Sequence, residues 1–181
     1  FFDIKNLNTK VITKMPQVGL ITGKINLQGQ SFDVNQMIVR TKANISSIEI
    51  MDKTINNLYL DGLLNKKTYQ GIIRVNDEQA AADVDGFIDF RTSKIMADVV
   101  ANIKRLNLNY FTGKRGSQIL SGLIDGKISM TNLNDLDLNA NMKGLTFTAN
   151  GKTYTIPNAD LKVYFANGNR VVEVDAPGAV N

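Results

Sequence analysis

The nonapeptide Gly19-Leu-Ile-Thr-Gly-Lys-Ile-Asn-Leu27 recurs as Gly122-Leu-Ile-Asp-Gly-Lys-Ile-Ser-Met130, and this copy constrains the fold more than any other feature of the chain. The three differences, Thr22 to Asp125, Asn26 to Ser129 and Leu27 to Met130, keep polar residues polar and apolar residues apolar. Upstream of each copy stands a second matched run, Ile4-Lys-Asn-Leu-Asn8 and Ile103-Lys-Arg-Leu-Asn107. The runs are offset by 99 residues and the nonapeptides by 103, so one four-residue insertion or deletion separates them. A period of about a hundred residues marks repeated units that cover one another's edges. It divides the chain into a first repeat over residues 1–102 and a second, truncated repeat over residues 103–181, read as an excerpt of a longer protein.

Within the repeats, apolar and polar residues alternate. Val84, Gly86, Ile88 and Phe90 share one parity, against Asp83, Asp85, Asp89 and Arg91, with only Phe87 out of place. Leu136, Leu138, Ala140 and Met142 alternate with Asp135, Asp137, Asn139 and Asn141. Ile21, Ile25 and Leu27 oppose Thr22, Lys24 and Asn26, and Ile124, Ile128 and Met130 repeat this; Leu161, Val163 and Phe165 follow the same rule. A period of two belongs to strands with one apolar and one polar face, and no convincing helical period occurs. Asn150-Gly151 and Asn167-Gly168-Asn169 are hairpin signals. Asp61-Gly62 also reads as a turn, whereas the alternation through Asp85-Gly86 favours a strand with a bulge or a close backbone approach. A short helical turn is expected around Leu108 to Phe111, ahead of a polar loop over Thr112 to Gln118. About a dozen strands with hairpin-length links leave no room for parallel crossovers, so the expected fold is an all-β antiparallel meander.

Composition narrows the chemistry. There is no cysteine and no histidine, which removes disulfides, thiolate ligands and the usual general base, and makes zinc improbable. The net charge of +4 is scattered, its tightest clusters being Lys66-Lys67 and Lys114-Arg115, which argues against nucleic acid. Gly19 to Lys24 superficially resembles a phosphate-binding loop, but the spacing, the following Ile25 and the strand context are wrong. Asp83, Asp85 and Asp89 lack the remaining ligands of a calcium loop and read as a water-facing strand surface. Asn44-Ile-Ser46 fits a glycosylation acceptor, a pattern that recurs by chance. Tyr110-Phe111 and Tyr164-Phe165 read as packing aromatics, because platforms for sugars or bases would be sparse at 7% aromatic content. Nothing singles out a catalytic pair, so the chain reads as a non-enzyme with no cofactor.

Met96-Ala-Asp-Val-Val-Ala-Asn-Ile-Lys-Arg-Leu-Asn-Leu108, followed after the loop by Ser121-Gly-Leu-Ile-Asp-Gly-Lys-Ile128, sets a strand ending in Leu-x-Leu before a small-residue strand that opens a new module. With the matched runs and the alternation, this resembles the TamB/AsmA-like superfamily of bacterial envelope proteins, in the form of the long TamB-like proteins of Bacteroidota. The resemblance implies an elongated, curved β-sheet, a β-taco or β-groove, whose concave face is apolar. It further implies phospholipid transport between inner and outer membranes, or assembly of outer-membrane β-barrel proteins. The implied place is the periplasm, in a protein anchored in the inner membrane of a diderm bacterium by segments outside this chain. Acyl chains and an outer-membrane β-barrel assembly protein are the implied partners, and the family carries no catalytic residues.

On this reading the groove is lined by Ile21, Ile25 and Leu27, then Val84, Ile88 and Phe90, then Val99 and Ile103. Ile124, Ile128 and Met130, with Leu136, Leu138, Leu161, Val163 and Phe165, continue it. The same residues would equally fill closed β-sandwich repeats serving as a structural or adhesive stalk without lipid. A third reading is an assembly chaperone that pairs client strands through an open sheet edge.

Overall fold

The computed structural model describes residues 1–9, 18–31, 33, 35–50, 52–113, 116–131, 135–166 and 168–177. They form one antiparallel sheet of eleven strands in sequence order. The strands are β1 (Phe2–Asn8), β2 (Val18–Gln30), β3 (Ile38–Ile50), β4 (Lys53–Asn65), β5 (Thr68–Asn76) and β6 (Ala80–Asp89). They continue as β7 (Ile95–Asn107), β8 (Gln118–Met130), β9 (Asp137–Ala149), β10 (Lys152–Ala166) and β11 (Asn169–Asp175), with a short helix, α1 (Leu108–Thr112), between β7 and β8. The sheet does not close, which overturns the closed-sandwich alternative: among the described residues every strand bonds only to its chain neighbours, and β1 and β11 are the edge strands. The line drawn between residues 102 and 103 falls inside β7, so the sheet crosses it unbroken.

Period-two burial confirms the alternation. In β7, Ile95, Ala97, Val99, Ala101 and Ile103 are half-buried while Met96, Asp98, Val100, Asn102 and Lys104 are exposed. The sheet bends toward the more buried face. A Cβ added to Gly23 would stand 2.7 Å from the Ile45 Cα, and one on Gly29 would stand 2.7 Å from the Val39 Cα. On a flat sheet it would clear the next strand. The solvent-accessible area of 11,778 Å² exceeds the roughly 8,700 Å² of a compact globule of this mass, as an open curved sheet requires.

Links follow local chemistry. Asn150-Gly151 turns with φ of 51° and 75°, the geometry its residues favour. Lys66-Lys67 makes the same kind of turn with φ of 45° and 65°, joining Asn65 to Thr68. Asp61-Gly62 makes no turn: both lie in the middle of β4, paired in unbroken register with Ile72 and Gly71. Asn167 lies outside the described residues, but β10 and β11 pair up to Ala166 and Asn169 across it. Register is unbroken on both sides of Asp85-Gly86, and close approach is the correct alternative there, since a Cβ on Gly86 would press Val99 Cγ1 at 2.7 Å.

The helical turn forms where expected. The Asn107 side chain accepts from the Asn109 amide at 3.2 Å, and Gly113 closes the turn at φ 70°. Tyr110 and Phe111 fold onto the most buried cluster of the sheet, Ala43, Ile45, Ile55 and Leu58 on β3 and β4. The Tyr110 hydroxyl donates to the Thr54 carbonyl at 2.9 Å and Lys53 lies over its ring. A link between β7 and β8 therefore closes over β3 and β4 at one end of the bend.

The matched run upstream of each nonapeptide encodes a bulge in both copies. Ile4 pairs with Gly23 and Leu7 with Ile21; Ile103 pairs with Gly122 and Leu106 with Leu120. In each case three residues on one strand span two on the other. The two runs are not structural equivalents, however. The place that Ile4 holds opposite Gly23 is held by Val99 opposite Gly126, because the four-residue indel shifts the second run along its strand.

Candidate functional site

Directly paired residues in an antiparallel sheet share a face, so the register can be followed from strand to strand. One lane runs Phe2, Ile25, Ala43, Leu60, Ile73, Val84, Ala101, Ile124, Met142 and Ala159, apolar over ten strands. On one side lies Ile4, Gly23, Ile45, Leu58, Val75, Ala82, Ile103 and Gly122. On the other lies a lane of smaller residues, Leu27, Thr41, Gly62, Gly71, Gly86, Val99, Gly126, Ala140, Leu161 and Val174. Beyond it run Gly29, Val39, Leu64, Tyr69, Ile88, Ala97, Ile128, Leu138, Val163 and Val172. These four lanes make the concave inner face.

The register brings Ile25, Leu27, Val84, Ile88, Val99, Ile103, Ile124, Ile128, Leu138, Leu161 and Val163 together on this face. Met130 joins them at the end of β8, opposite Ile95, and Ile21 sits opposite Ile48 against the Ala43–Leu58 cluster. Three expected members fall short. Phe90 and Leu136 lie just outside β6 and β9. Phe165 has the right parity but is 53% exposed opposite Arg170, so it does not pack. Sequence reasoning missed Ala43, Ile45 and Leu58, which are buried, and the half-buried Leu60, Ile73 and Val75 beside them. The false turn at Asp61-Gly62 broke the pattern there.

Tyr69, like Thr41, is a polar exception. Its ring lies over Gly62, and its hydroxyl is shielded from solvent with no hydrogen-bond partner among the described residues. Burial, and then the nearby Asp61 carboxylate, raise its pKa above the ordinary tyrosine value. The bare Cα atoms of Gly62 and Gly71 leave the room this ring fills.

The outer face carries charge. Asp61 is flanked by Lys42 at 3.3 Å and Arg40 at 3.5 Å. Asp83 bridges Arg74 at 3.7 Å and Lys104 at 2.7 Å. Asp89 departs from the water-facing expectation: it is 5% exposed and gripped by Arg91, whose hydrogen bonds hold its carboxyl below the usual range. A depression of about 500 Å³ also opens on this side, walled by Phe87, Met96, Lys127, Lys162 and Tyr164. Its lining is largely apolar but is interrupted by Asp89, Asp98 and Asp137 as well as the two lysines. The inner face, with one lane apolar over ten consecutive strands, is the better candidate site.

Among the described residues no group of three or more carboxylates gathers to hold a metal ion, and no helix is long and apolar enough to cross a membrane. Compared with known proteins, the chain matches no family model, no curated sequence and no solved structure.

Proposed function

We propose that the inner face holds and guides lipid acyl chains, as a segment of an envelope-spanning bridge that carries phospholipid between inner and outer membranes. The observation that carries this reading is lane continuity: ten consecutive strands each place an apolar residue in register from Phe2 to Ala159. The nine inter-strand steps of that lane, at ~4.8 Å each, make an apolar run ~43 Å long, against the ~15 Å that one leaflet's chains span in a bilayer. Burying roughly sixteen methylenes is worth on the order of 10 kcal/mol, enough to hold a chain out of water. Uniform aliphatic lining gives it no fixed stopping point. The resemblance to TamB/AsmA-like proteins supports the same reading, and with it we propose a periplasmic location and an outer-membrane β-barrel assembly protein as partner.

The test is crosslinking of an acyl-chain photoprobe presented in phosphatidylethanolamine vesicles, with mass spectrometry of copurifying lipid. Ile128→Asp and Ile88→Asp should each cut adducts at least tenfold while Lys127→Ala on the outer face leaves them unchanged, circular dichroism confirming retained strand content. Equal effects of inner and outer substitutions would sink the proposal.

A further inference from the structure

At the outer-face depression the period-two rule fails. Outer positions are expected to be polar, yet Phe87, the residue out of parity in β6, is 39% exposed there and Met96 is 49% exposed. Both wall the same space of about 500 Å³, a volume in the range of small-molecule sites. The register gives its shape. One outer lane runs from Phe87 through Lys127 to Lys162, and the lane beside it from Met96 to Asp137. Four inter-strand steps separate Phe87 from Lys162 by ~19 Å, and the two lanes lie ~7 Å apart. A trough of that shape suits one extended aliphatic chain better than a rounded ligand.

The charges lining the trough are matched, with one exception. Asp89 is gripped by Arg91, Asp137 by Lys94 at 3.2 Å, and Asp98 has Lys127 at 3.8 Å. Lys162 makes no ion pair among the described residues, although two carboxylates stand near it in sequence or register. Glu173, its direct partner on β11, accepts from the Tyr164 hydroxyl at 2.7 Å, a bond that also holds the Tyr164 ring at the wall. Asp160, two residues away on the same face of β10, accepts from the Asn141 amide at 3.0 Å. One uncompensated ammonium at the end of an apolar trough calls for one negative charge, and the aspartates along its length disfavour a second.

We propose that this trough binds a single-chain amphiphilic carboxylate, its headgroup on the Lys162 ammonium and its chain laid across β9, β8 and β7 toward Met96 and Phe87. The methylenes cover Met96, Phe87 and the aliphatic stem of Lys127, which supplies affinity, while the ion pair fixes the direction in which the chain lies. The sheet itself separates this trough from the inner face, so the proposal does not depend on what the inner face holds.

The test is isothermal titration of the full chain with dodecanoate and with dodecyltrimethylammonium, equal chains of opposite charge, below their micelle concentrations. Dodecanoate should bind at least tenfold more tightly than the cation. Lys162→Gln should erase that preference and Lys162→Arg should keep it. Lys24→Gln, the same loss of charge on β2, and Ile88→Asp on the inner face should both leave it intact. Met96→Ser should weaken dodecanoate at least threefold, circular dichroism confirming retained strand content in every variant. Equal affinities of the two amphiphiles, absence of saturable dodecanoate binding, a preference that survives Lys162→Gln, or one abolished by Lys24→Gln or Ile88→Asp would each overturn it.

Discussion

Tyr69 and the glycines beneath it show how single residues set the bend. A side chain at Gly71 would overlap the Asp61 carbonyl oxygen and crowd the Gly62 Cα at 2.5 Å. Gly71→Ala should therefore cost about 2–3 kcal/mol, read as a lowered midpoint in urea unfolding. Tyr69→Phe keeps the ring over Gly62 and removes a hydroxyl with no partner, so its stability should stay level or rise by up to ~1 kcal/mol. A fall of more than that would mean the hydroxyl is satisfied. Asp77 is the opposite case, a buried carboxylate that is fully used. It accepts from the Gln79 amide at 2.7 Å and from the Asn56 amide and side chain at 2.9 Å. Burial pushes its pKa up, but these bonds and the Arg105 charge outweigh it and hold the pKa below 3.8. A lowered folded pKa stabilises above the unfolded value, and that stability is lost as pH falls through the folded one. Asp77→Asn should thus flatten the acid limb of a pH–stability curve below about pH 4, while lowering stability at pH 7. None of this was visible in the sequence, because Tyr69 and Asp77 take their meaning from strands paired with their own.

At the scale of elements, α1 is the piece whose removal is most informative. Tyr110 and Phe111 meet edge-to-face at 5.4 Å and cover Ile55 and its neighbours. Tyr110→Ala should cost about 2 kcal/mol, less than a fully buried aromatic would, and should speed amide exchange in β3 and β4 ahead of β9 and β10. Uniform acceleration would contradict the packing. The helix was legible in advance because Asn107 and Gly113 punctuate it, and the strands because period two survives in almost every one. Turns were less legible. Asn150-Gly151 signalled itself, whereas Lys66-Lys67 carries no turn chemistry and is forced into positive φ by the pairing of β4 with β5. Asp61-Gly62 failed for the converse reason, since its glycine serves a crowded inner face and not a reversal. The inner parity of Ile25, Ile88 and Ile128 was readable residue by residue. Which of these would lie in one lane was not, since bulges at Ile4–Leu7, Ala81–Ala82 and Ile103–Leu106 reset the count.

For the whole molecule, openness is the property to measure. Thirteen-residue strands at ~3.4 Å per residue and ten steps of ~4.8 Å describe a plate of about 44 by 48 Å. Its radius of gyration should be ~18–19 Å by solution scattering, against ~16 Å for a compact chain of this length; the smaller value would mean the sheet folds shut. The two units do not repeat straight across this plate. Ile25 and Ile128 are equivalents, yet the lane through Ile25 arrives at Ile124, four residues away along β8. Each six-strand unit thus slips ~14 Å sideways for every ~29 Å advanced, a pitch of about 25°. Equivalent residues of the two units therefore never fall in the same lane. On the proposed function, a flexible chain following one lane would pass a different set of side chains in each unit, and a rigid ligand shaped to one unit would find no matching site straight ahead in the next.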